Sequence, residues 1–414
     1  MMKFNTWDIN LKVRLFGEAL LDISFWTVFP FLTIYFSKEL GIQITSFLLI
    51  GSQVLTVFTG LLGGYFADNI GRKKMMSISV IGECFGFLLF AFSATESFHQ
   101  PYLGFLGFTI ASVFTSFYQP ASQAMIADVV AAEHRSHVYA VFYMMINVAV
   151  VIGPIIGSVV FYNYPVVTLV AIALADLLLL VLLQKFGHET APLVLHPEGK
   201  IKKTVWEALR EQVSQYKIIF KDKVFLLFIV AGIIIAQAFM QLDLLFPLYI
   251  KDVIGTSSLF HFSLRSEQLF GVSVALNGFI VATFTVIISR QISRFKEKFV
   301  FMNSSFLYGI ALFIFGFSAG PWGIIIAIIL FSFAELMTVG IQQNFISIIA
   351  PEKLRGMYFS ASSLRYTVGK VVAPFAITLA SVIDYPLTFI IIGILAIFSG
   401  FVYYYMYFLF EKQR

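Results

Sequence analysis

Charged residues are scarce in this chain of 414 residues. Only 12% are aspartate, glutamate, lysine or arginine, whereas 59% are hydrophobic. A soluble domain carries roughly a quarter of its residues charged. Mean hydropathy is +0.88. Because a water-soluble globule cannot hide this much apolar surface, the composition excludes a soluble protein and indicates that lipid is the solvent.

Two further absences narrow the class of protein. Cys84 is the only cysteine, which excludes a disulfide framework. The sequence contains no Gly-x-x-x-x-Gly-Lys-Ser/Thr loop, so it lacks the phosphate cradle of a P-loop ATPase. We expect a membrane protein that is not an enzyme and that binds no organic cofactor and no structural metal.

Long apolar runs predict twelve membrane-spanning helices. They lie at about 15–36, 47–67, 75–94, 103–127, 137–161 and 165–183, and then at about 224–250, 269–289, 299–318, 321–347, 357–383 and 386–410. The predicted domains are an N-terminal six-helix bundle (1–184), a cytoplasmic linker with an amphipathic helix over 205–220 (185–223), and a C-terminal six-helix bundle (224–414).

The positions of lysine and arginine predict the orientation. If both termini are cytoplasmic, the outer loops hold only Lys38, Lys251 and Arg265, and two more basic residues, Arg365 and Lys370, lie inside a span. The remaining 23 of the 28 basic residues face the cytoplasm. Cytoplasmic segments of membrane proteins are enriched in these residues. We therefore expect a multi-pass protein of the cell membrane with both termini inside.

Corresponding residues recur in the two halves. At an offset of 220 residues, Arg135 matches Arg355 and Pro154 matches Pro374. Repeats of this kind place a substrate site between the halves near the middle of the bilayer. Rocking of one half against the other then gives alternating access. The repeat therefore indicates a transporter.

The loop after the second span carries glycines and charges at regular spacing. Gly64 permits close helix packing, Asp68 ends the span with a charge, and Gly71 suits a tight turn before the basic cluster that begins at Arg72. Asp128 closes the fourth span, where it can pair with Arg72. An ion pair that forms in one state and breaks in another predicts a conformational switch. The alternative is that these charges only anchor the spans at the membrane surface.

The fifth span contains a Gly-Pro motif. Gly153, Pro154 and Gly157 follow Asn147. Proline removes a backbone donor and glycine lets a neighbouring helix approach, so the motif predicts a bent, tightly packed helix. The alternative is a kinked helix with no further role.

The loop that runs from Gly64 to Lys74 resembles the signature loop of the major facilitator superfamily, although Asn69 replaces the basic residue that usually follows the aspartate. The Gly-Pro motif is similar to the antiporter motif of drug–proton exchangers in that superfamily, where it seals against proton leak. The resemblance implies an all-α membrane protein with the major facilitator fold, that is, twelve transmembrane helices in two pseudo-symmetric six-helix bundles.

Acidic residues inside the spans are the main candidates for chemistry. A charge in mid-span costs on the order of 3 kcal/mol, so each is by default a functional hypothesis. Asp22 lies in the first span, Asp243 in the seventh and Glu335 in the tenth. Glu18 lies one helical turn from Arg14 and can pair with it. Withdrawal from water favours the protonated carboxyl group, and a bound cation favours the charged form, so a proton and a cation compete for the same group.

A purely structural role can account for only part of this set of acids. A salt bridge with Arg365 or Lys370 can neutralise one of Asp22, Asp243 and Glu335, but two cations cannot neutralise all three. Glu83 and Asp176 also lie inside spans, and the sequence suggests no partner for either.

Polar side chains on several spans are expected to line a substrate cavity together with aromatic faces from the 48 phenylalanines and 18 tyrosines. Such a cavity suits lipophilic cations. The predicted lining residues are Gln119 and Gln123 on the fourth span, Tyr143 and Asn147 on the fifth, Gln237 and Gln241 on the seventh, and Arg365 on the eleventh.

The resemblance to drug–proton antiporters extends to the acids. It implies that Asp243 and Glu335 take part in proton coupling and cation binding, and that Asp68 and Asp128 belong to the conformational switch. One departure is informative, because an antiporter of this group carries an aspartate at the position of Phe142. We expect Glu18 and Asp22 to compensate for that missing acid.

The leading functional hypothesis is proton-coupled efflux of lipophilic, often cationic drugs by alternating access, with a role in antibiotic resistance. The alternatives are a lipid or glycolipid flippase of the same fold, which the many aromatic residues suggest, and a proton-coupled nutrient symporter. We expect small lipophilic or cationic substrates and membrane lipids as partners, protons as the coupling ion, no nucleic acid, and a monomer.

Overall fold

The first part of the chain consists almost entirely of helices. A computed structural model of the protein describes residues 7–190, 207, 210, 221–260, 262–292, 294–350, 358 and 361–413. Two short 3-10 turns lie at Phe29–Phe31 and Glu96–Phe98. The helices up to residue 190 are α1 (Ile9–Val28), α2 (Leu32–Leu40), α3 (Ile42–Ile70), α4 (Arg72–Ser93), α5 (Pro101–Val129), α6 (Ala132–Gly157), α7 (Val160–Asn163) and α8 (Pro165–Phe186).

From residue 221 on, the described residues form eight α-helices of four or more residues and one hairpin. The helices are α9 (Lys223–Phe239), α10 (Gln241–Tyr249), α11 (Ser266–Ile292), α12 (Glu297–Phe317), α13 (Pro321–Ile349), α14 (Leu364–Val372), α15 (Phe375–Ile383) and α16 (Tyr385–Gln413). A π-helical turn (Ile250–Ile254) follows α10, and the antiparallel strands β1 (Ser257–Leu259) and β2 (Phe262–Leu264) form the hairpin. The predicted amphipathic helix lies outside the described residues, except for Glu207 and Arg210, which are helical.

Eleven helical segments in the described ranges are long and apolar enough to cross a membrane. The remaining predicted span is the fourth, which corresponds to α5. This helix has 29 residues and is thus as long as α3. Its mean hydropathy is lowered by a run of hydroxyl and amide side chains. These polar side chains are Thr109, Ser112, Thr115, Ser116, Gln119, Ser122 and Gln123.

Prolines interrupt several of the long spans. The 3-10 turn around Pro30 separates α1 from α2, and α14 ends just before Pro374. Pro247 lies inside α10 and has no N–H to donate to the carbonyl oxygen of Asp243. The hydroxyl of Thr33 donates to that oxygen instead, at 3.4 Å. The proline of the seventh span therefore leaves an acceptor that a side chain from another helix satisfies.

The same packing pattern occurs twice. In the first half, α1 packs against α6 and α8, and α4 packs against α5 and α8. In the second half, α9 packs against α14 and α16, and α12 packs against α13 and α16. Spans 1, 3, 4, 5 and 6 thus have their counterparts in spans 7, 9, 10, 11 and 12, as two pseudo-symmetric six-helix bundles require.

The chain divides into two compact units, and the division does not follow the sequence order completely. One unit is Met1–Phe29 with Gly51–Glu211, and the other is Pro30–Ile50 with Gln212–Arg414. The segment Pro30–Ile50 joins the second unit partly through Ser46, whose hydroxyl donates to the carbonyl oxygen of Pro374 at 2.7 Å. The predicted domain bounds, 1–184, 185–223 and 224–414, stay a prediction.

Candidate functional site: two groups of buried acids

A polar network surrounds the first turn of α4. The Nε atom of Arg72 lies 3.3 Å from the Oδ2 atom of Asp128, so the expected ion pair is present. Gly71 precedes the helix with φ of 104°, a conformation that favours glycine. Gly64 and Asp68 lie within α3, and their side chains are outside what the structure describes. The switch function of these residues stays a prediction.

Glu189, just after α8, occupies the N-terminus of α4. Its carboxylate accepts hydrogen bonds from the backbone N–H groups of Arg72 (2.6 Å), Lys73 (3.3 Å) and Lys74 (3.4 Å). These N–H groups have no partner within the helix, and a negative charge complements the helix dipole there. The hydroxyl of the next residue, Thr190, donates to Asp128 at 3.2 Å. The segment after α8 therefore ties the start of α4 to the end of α5.

Glu18, on α1, accepts hydrogen bonds from three side chains. The Nε atom of Arg14 donates to Oε1 of Glu18 at 2.8 Å, as the spacing of one helical turn predicts. Tyr118 and Ser122 on α5 donate to the same oxygen at 2.7 and 3.0 Å. The guanidinium group of Arg14 also lies over the ring of Phe142, 4.8 Å from its centre. Glu18 is therefore a charge-paired, hydrogen-bonded carboxylate.

These residues form one wall of a cavity of about 410 Å³ inside the first unit. Asp22 and Glu83 line it beside Glu18, and the predicted lining residues Gln119 and Gln123 are also present. The hydroxyl-bearing Thr115 lines the cavity as well. The aromatic part of the lining consists of Phe25, Trp26, Tyr118 and Phe142. The cavity thus combines three carboxyl groups with aromatic faces.

The Gly-Pro motif packs against the helix that carries Glu18 and Asp22. A Cβ atom on Gly153 would lie 2.5 Å from Cβ of Trp26, so α6 approaches α1 closely at this point. Pro154 lies inside α6, and its carbonyl accepts from the N–H of Ser158, one residue after Gly157 ends the helix. Asn147 is partly buried on α6, and the side chain of Tyr143 lies outside the described residues.

The second unit contains another pair of buried acids. The Oδ1 atom of Asp243, on α10, is buried and has no hydrogen-bond partner among the described residues. Its carboxyl group interacts electrostatically with Glu335 on α13. The side-chain amide of Asn277, on α11, donates to Glu335 at 3.2 Å and to Ser332 at 2.9 Å. The structure therefore brings together the two acids to which the resemblance assigns proton coupling.

Arg365 does not neutralise either acid in the described ranges. Its guanidinium group donates to the carbonyl of Ser362 and to the side chain of Gln342, both at 3.0 Å, and lies 4.4 Å from the centre of the Phe228 ring. A structural salt bridge between Arg365 and Asp243 or Glu335 is thus absent from the part of the chain that the structure describes.

The two glutamines predicted to line a cavity on the seventh span are placed differently from each other. Gln241 is fully buried and donates to the carbonyl oxygens of Gln237 and Ala373, so it connects α10 to the end of α14. Gln237 lines an apolar groove of about 460 Å³ with α14 and α15 residues such as Phe375.

Three contacts of the site have no clear signal in the sequence. Asn277 lies in an apolar run far from Glu335 along the chain, and Glu189 lies in a polar segment with many charges. Asp176 and Glu83 are recognisable as acids inside spans, but only the fold shows that they interact. Among the described residues, no group of three or more His, Cys, Asp or Glu side chains is arranged to hold a metal ion.

The profile of the Major Facilitator Superfamily matches residues 15–374 of the chain, and a second match covers 262–414. The chain belongs to the major facilitator superfamily. It is therefore a multi-pass membrane transporter and not an enzyme. The side of the membrane on which its termini lie stays a prediction.

Individual proteins resemble the transporter to different degrees. A "Na⁺, Li⁺, K⁺/H⁺ antiporter" of Planococcus maritimus is 46% identical over 419 aligned positions, which cover 100% of this chain and 99% of the relative. The multidrug resistance protein MdtH of Proteus mirabilis is 22% identical over 86% of this chain and 82% of its own length. A crystal structure of a POT family transporter in complex with 5-aminolevulinic acid superimposes with a TM-score of 0.76 at 15% identity, covering 97% of this chain and 96% of that one. The last similarity concerns the fold alone.

Proposed function

We propose that the transporter exchanges monovalent cations for protons, with Na⁺, Li⁺ and K⁺ among its substrates. The observation that carries this proposal is the charge of the cavity in the first unit. Its lining includes three carboxyl groups, of Glu18, Asp22 and Glu83, and one basic group, that of Arg14. Because Arg14 is bound to Glu18, Asp22 and Glu83 are left without a cationic partner among the lining residues.

Two unneutralised carboxyl groups in one partly apolar cavity have a simple consequence. Burying a charged carboxylate is costly, so each group binds a proton or attracts a cation from solution. A proton and a cation cannot occupy the same carboxylate oxygens at the same time. Alternate exposure of such a group to the two sides of the membrane couples the movement of the cation to that of the proton.

The similarity to the Planococcus maritimus protein supports the inorganic cations in this proposal. That relative is named for the exchange of three alkali cations against protons, and the alignment extends over almost the whole of both chains. Our expectation from the sequence was efflux of lipophilic drugs. The proposed function retains proton antiport from that expectation and adds alkali cations as the first substrates to test.

The test uses purified protein in liposomes that contain a pH-sensitive dye and have an acidic interior. We expect external NaCl, LiCl or KCl to raise the internal pH, since each entering cation releases a proton, whereas choline chloride has no effect. Asp22→Asn keeps the size of the side chain and removes the exchangeable proton, so it should abolish the response. Glu96→Gln, at an exposed acid in the turn after α4, is the matched control.

Two results would contradict the proposal at different levels. No response of the unaltered transporter to any alkali cation would rule out these cations as substrates. A full response of the Asp22→Asn variant would remove Asp22 from the exchange and leave the antiport itself in place.

Efflux of lipophilic cations is the second candidate function, and the aromatic part of the same cavity favours it. Phe25, Trp26, Tyr118 and Phe142 present ring faces beside the acids. A cation beside an aromatic face gains about 0.5–2 kcal/mol, and a cavity of this size admits an organic ion. Uptake of tetraphenylphosphonium into the acidic liposomes, with a rise in internal pH, would support it. Absence of uptake while sodium exchange persists would restrict the transporter to inorganic cations.

A further inference from the structure

Asp176 is a fully buried acid on α8, in the first unit. It has no exposed surface, and among the described residues neither of its carboxyl oxygens has a hydrogen-bond partner. It lies on the buried stripe of α8, because Ile172, Ala173 and Leu179, three and four residues away, are buried as well. An aspartate on such a stripe must be neutralised, since an isolated charge in an apolar interior is very costly.

The neighbour of Asp176 across the helix interface is Glu83 on α4. Cys84, the next residue, donates its thiol to the carbonyl of Ala173 at 3.4 Å, and Ala173 lies one turn before Asp176. The carboxyl groups of Asp176 and Glu83 interact electrostatically. Glu83 is itself only 6% exposed, and that exposed part lines the cavity beside Asp22. The two acids therefore form a pair that has the cavity on one side and the α4–α8 interface on the other.

In the part of the chain that the structure describes, the charged groups around this pair do not neutralise it. Arg14, on α1, is bound to Glu18, and the remaining α1 acid, Asp22, adds negative charge. Lys185 on α8 is nine residues from Asp176, and Lys74 on α4 is nine residues from Glu83, so each is about 14 Å away along its helix. The thiol of Cys84 is the other titratable group in contact. What remains to neutralise the pair is a proton or a small cation.

Thr115 on α5 lines the cavity together with Glu83. Its hydroxyl donates to the carbonyl of Ala111 at 2.9 Å. A hydroxyl group has one hydrogen atom, so the oxygen of Thr115 is left as an acceptor or a ligand on the cavity side. With a bound cation, the same hydroxyl and carboxyl oxygens become ligands. Hard cations prefer such oxygens.

We propose that Glu83 and Asp176 form an inner site that binds either two protons or one proton and one dehydrated alkali cation, and that the cavity beside Asp22 is its entrance. The assignment rests on the proposed cation–proton exchange and names the place at which the small cation binds. One cation replaces one proton, so the pair stays neutral throughout. Lipophilic cations are excluded from this site because Asp176 has no exposed surface, and they are confined to the cavity.

Sodium binding to the purified protein in detergent tests the inner site without transport. Radioactive Na⁺ binding should weaken by more than about tenfold in Asp176→Asn and in Glu83→Gln, because each removes an anionic ligand. Glu96→Gln should bind like the unaltered protein. Binding to the unaltered protein should also weaken as the pH falls, since protons compete for the pair. Gel filtration shows whether each variant is folded.

Cys84 offers a second measurement that needs no substitution at the site. As the only cysteine of the chain it is the only target of a thiol reagent. A cation bound at the adjacent pair should slow its alkylation, and choline should not. Unchanged sodium affinity in a folded Asp176→Asn protein, or alkylation of Cys84 that sodium does not affect, would overturn the inner site.

The two proposals fail in different ways. If liposomes exchange sodium for protons while Asp176→Asn behaves like the unaltered protein, the inner site is wrong and the proposed function stands. If the purified protein binds sodium at this pair but liposomes show no exchange with any cation, the proposed function is wrong.

Discussion

The guanidinium group of Arg14 lies 4.8 Å from the centre of the Phe142 ring. Phe142 stands where the resemblance to drug–proton antiporters leads us to expect an aspartate. The acid that binds Arg14 comes from its own helix instead, since Glu18 accepts from the Nε atom at 2.8 Å. Phe142 therefore contributes a ring face and Glu18 contributes the charge. Asp22, one turn further along α1, lines the cavity without this arginine as its partner, as the proposed exchange of a proton for a cation requires.

Loss of the Glu18 carboxylate should destabilise the first unit. Glu18→Gln leaves Arg14, which is 1% exposed, without a negative partner. Breaking a buried ion pair from one side costs about 3–5 kcal/mol. We expect a clearly lower midpoint of thermal unfolding for the purified protein in detergent. Phe142→Asp in the Glu18→Gln background should recover part of the loss, because the new carboxylate lies at the Arg14 guanidinium group.

Tyr118→Phe is the matched control for that experiment. It removes one donor to Glu18 and keeps the ion pair. The free energy of unfolding should therefore fall by only about 1 kcal/mol, which is what a single hydrogen bond contributes. An unchanged unfolding midpoint in Glu18→Gln would show that the pair adds nothing to stability.

Contacts that follow from helical spacing or from a family motif were predictable from the sequence. The Arg14–Glu18 pair follows from the four-residue spacing, and the Arg72–Asp128 pair follows from the level at which the second and fourth spans end. The number of spans follows from hydropathy, except that the polar face of α5 reduces its signal. In each of these cases the interacting groups are fixed by the geometry of one helix or by the membrane surface.

Contacts between distant helices were not predictable. Asn277 meets Glu335 because α11 packs against α13, and Asp176 meets Glu83 because α8 packs against α4. An apolar run shows no sign of which face of a helix will meet which neighbour. The assignment of Pro30–Ile50 to the second unit also depends on tertiary contacts, such as that between Ser46 and Pro374. These contacts require the fold.

The Gly-Pro motif makes a prediction about packing. A methyl group on Gly153 would lie 2.5 Å from Cβ and 2.7 Å from the carbonyl carbon of Trp26. Gly153→Ala should therefore push α6 away from α1, at a cost of about 1–3 kcal/mol for overpacking. Gly60→Ala is the control, because its methyl group would meet Cβ of Ser116 at 4.0 Å. Equal unfolding midpoints of the two variants would show that the close approach at Gly153 is not needed.

Removal of the Glu189 carboxylate should loosen the first turn of α4. Glu189→Ala deprives three backbone N–H groups of their acceptor, and loss of a helix cap costs about 0.5–2 kcal/mol. We expect faster hydrogen–deuterium exchange at Arg72, Lys73 and Lys74, and no change in the middle of α4. Glu96→Ala, beyond the other end of the same helix, should leave exchange at these three amides as it is. Unaltered exchange in Glu189→Ala would mean that the cap has no influence on this helix end.

The acids of the second unit make the last prediction. The Oδ1 atom of Asp243 is buried and has no hydrogen-bond partner in the described ranges, and the carboxyl group interacts with that of Glu335. Asp243→Asn keeps the shape of the side chain but cannot release a proton. We therefore expect this variant to lose dye efflux driven by a pH gradient in liposomes, while Asp252→Asn, at the exposed end of the same span, retains it. Asp252 is paired with the hydroxyl of Tyr385 and lies outside the buried pair. The acids of the two units lie in separate helix bundles. If Asp243→Asn is fully active, and if adding Asp22→Asn to it abolishes the activity, proton exchange takes place in the first unit alone.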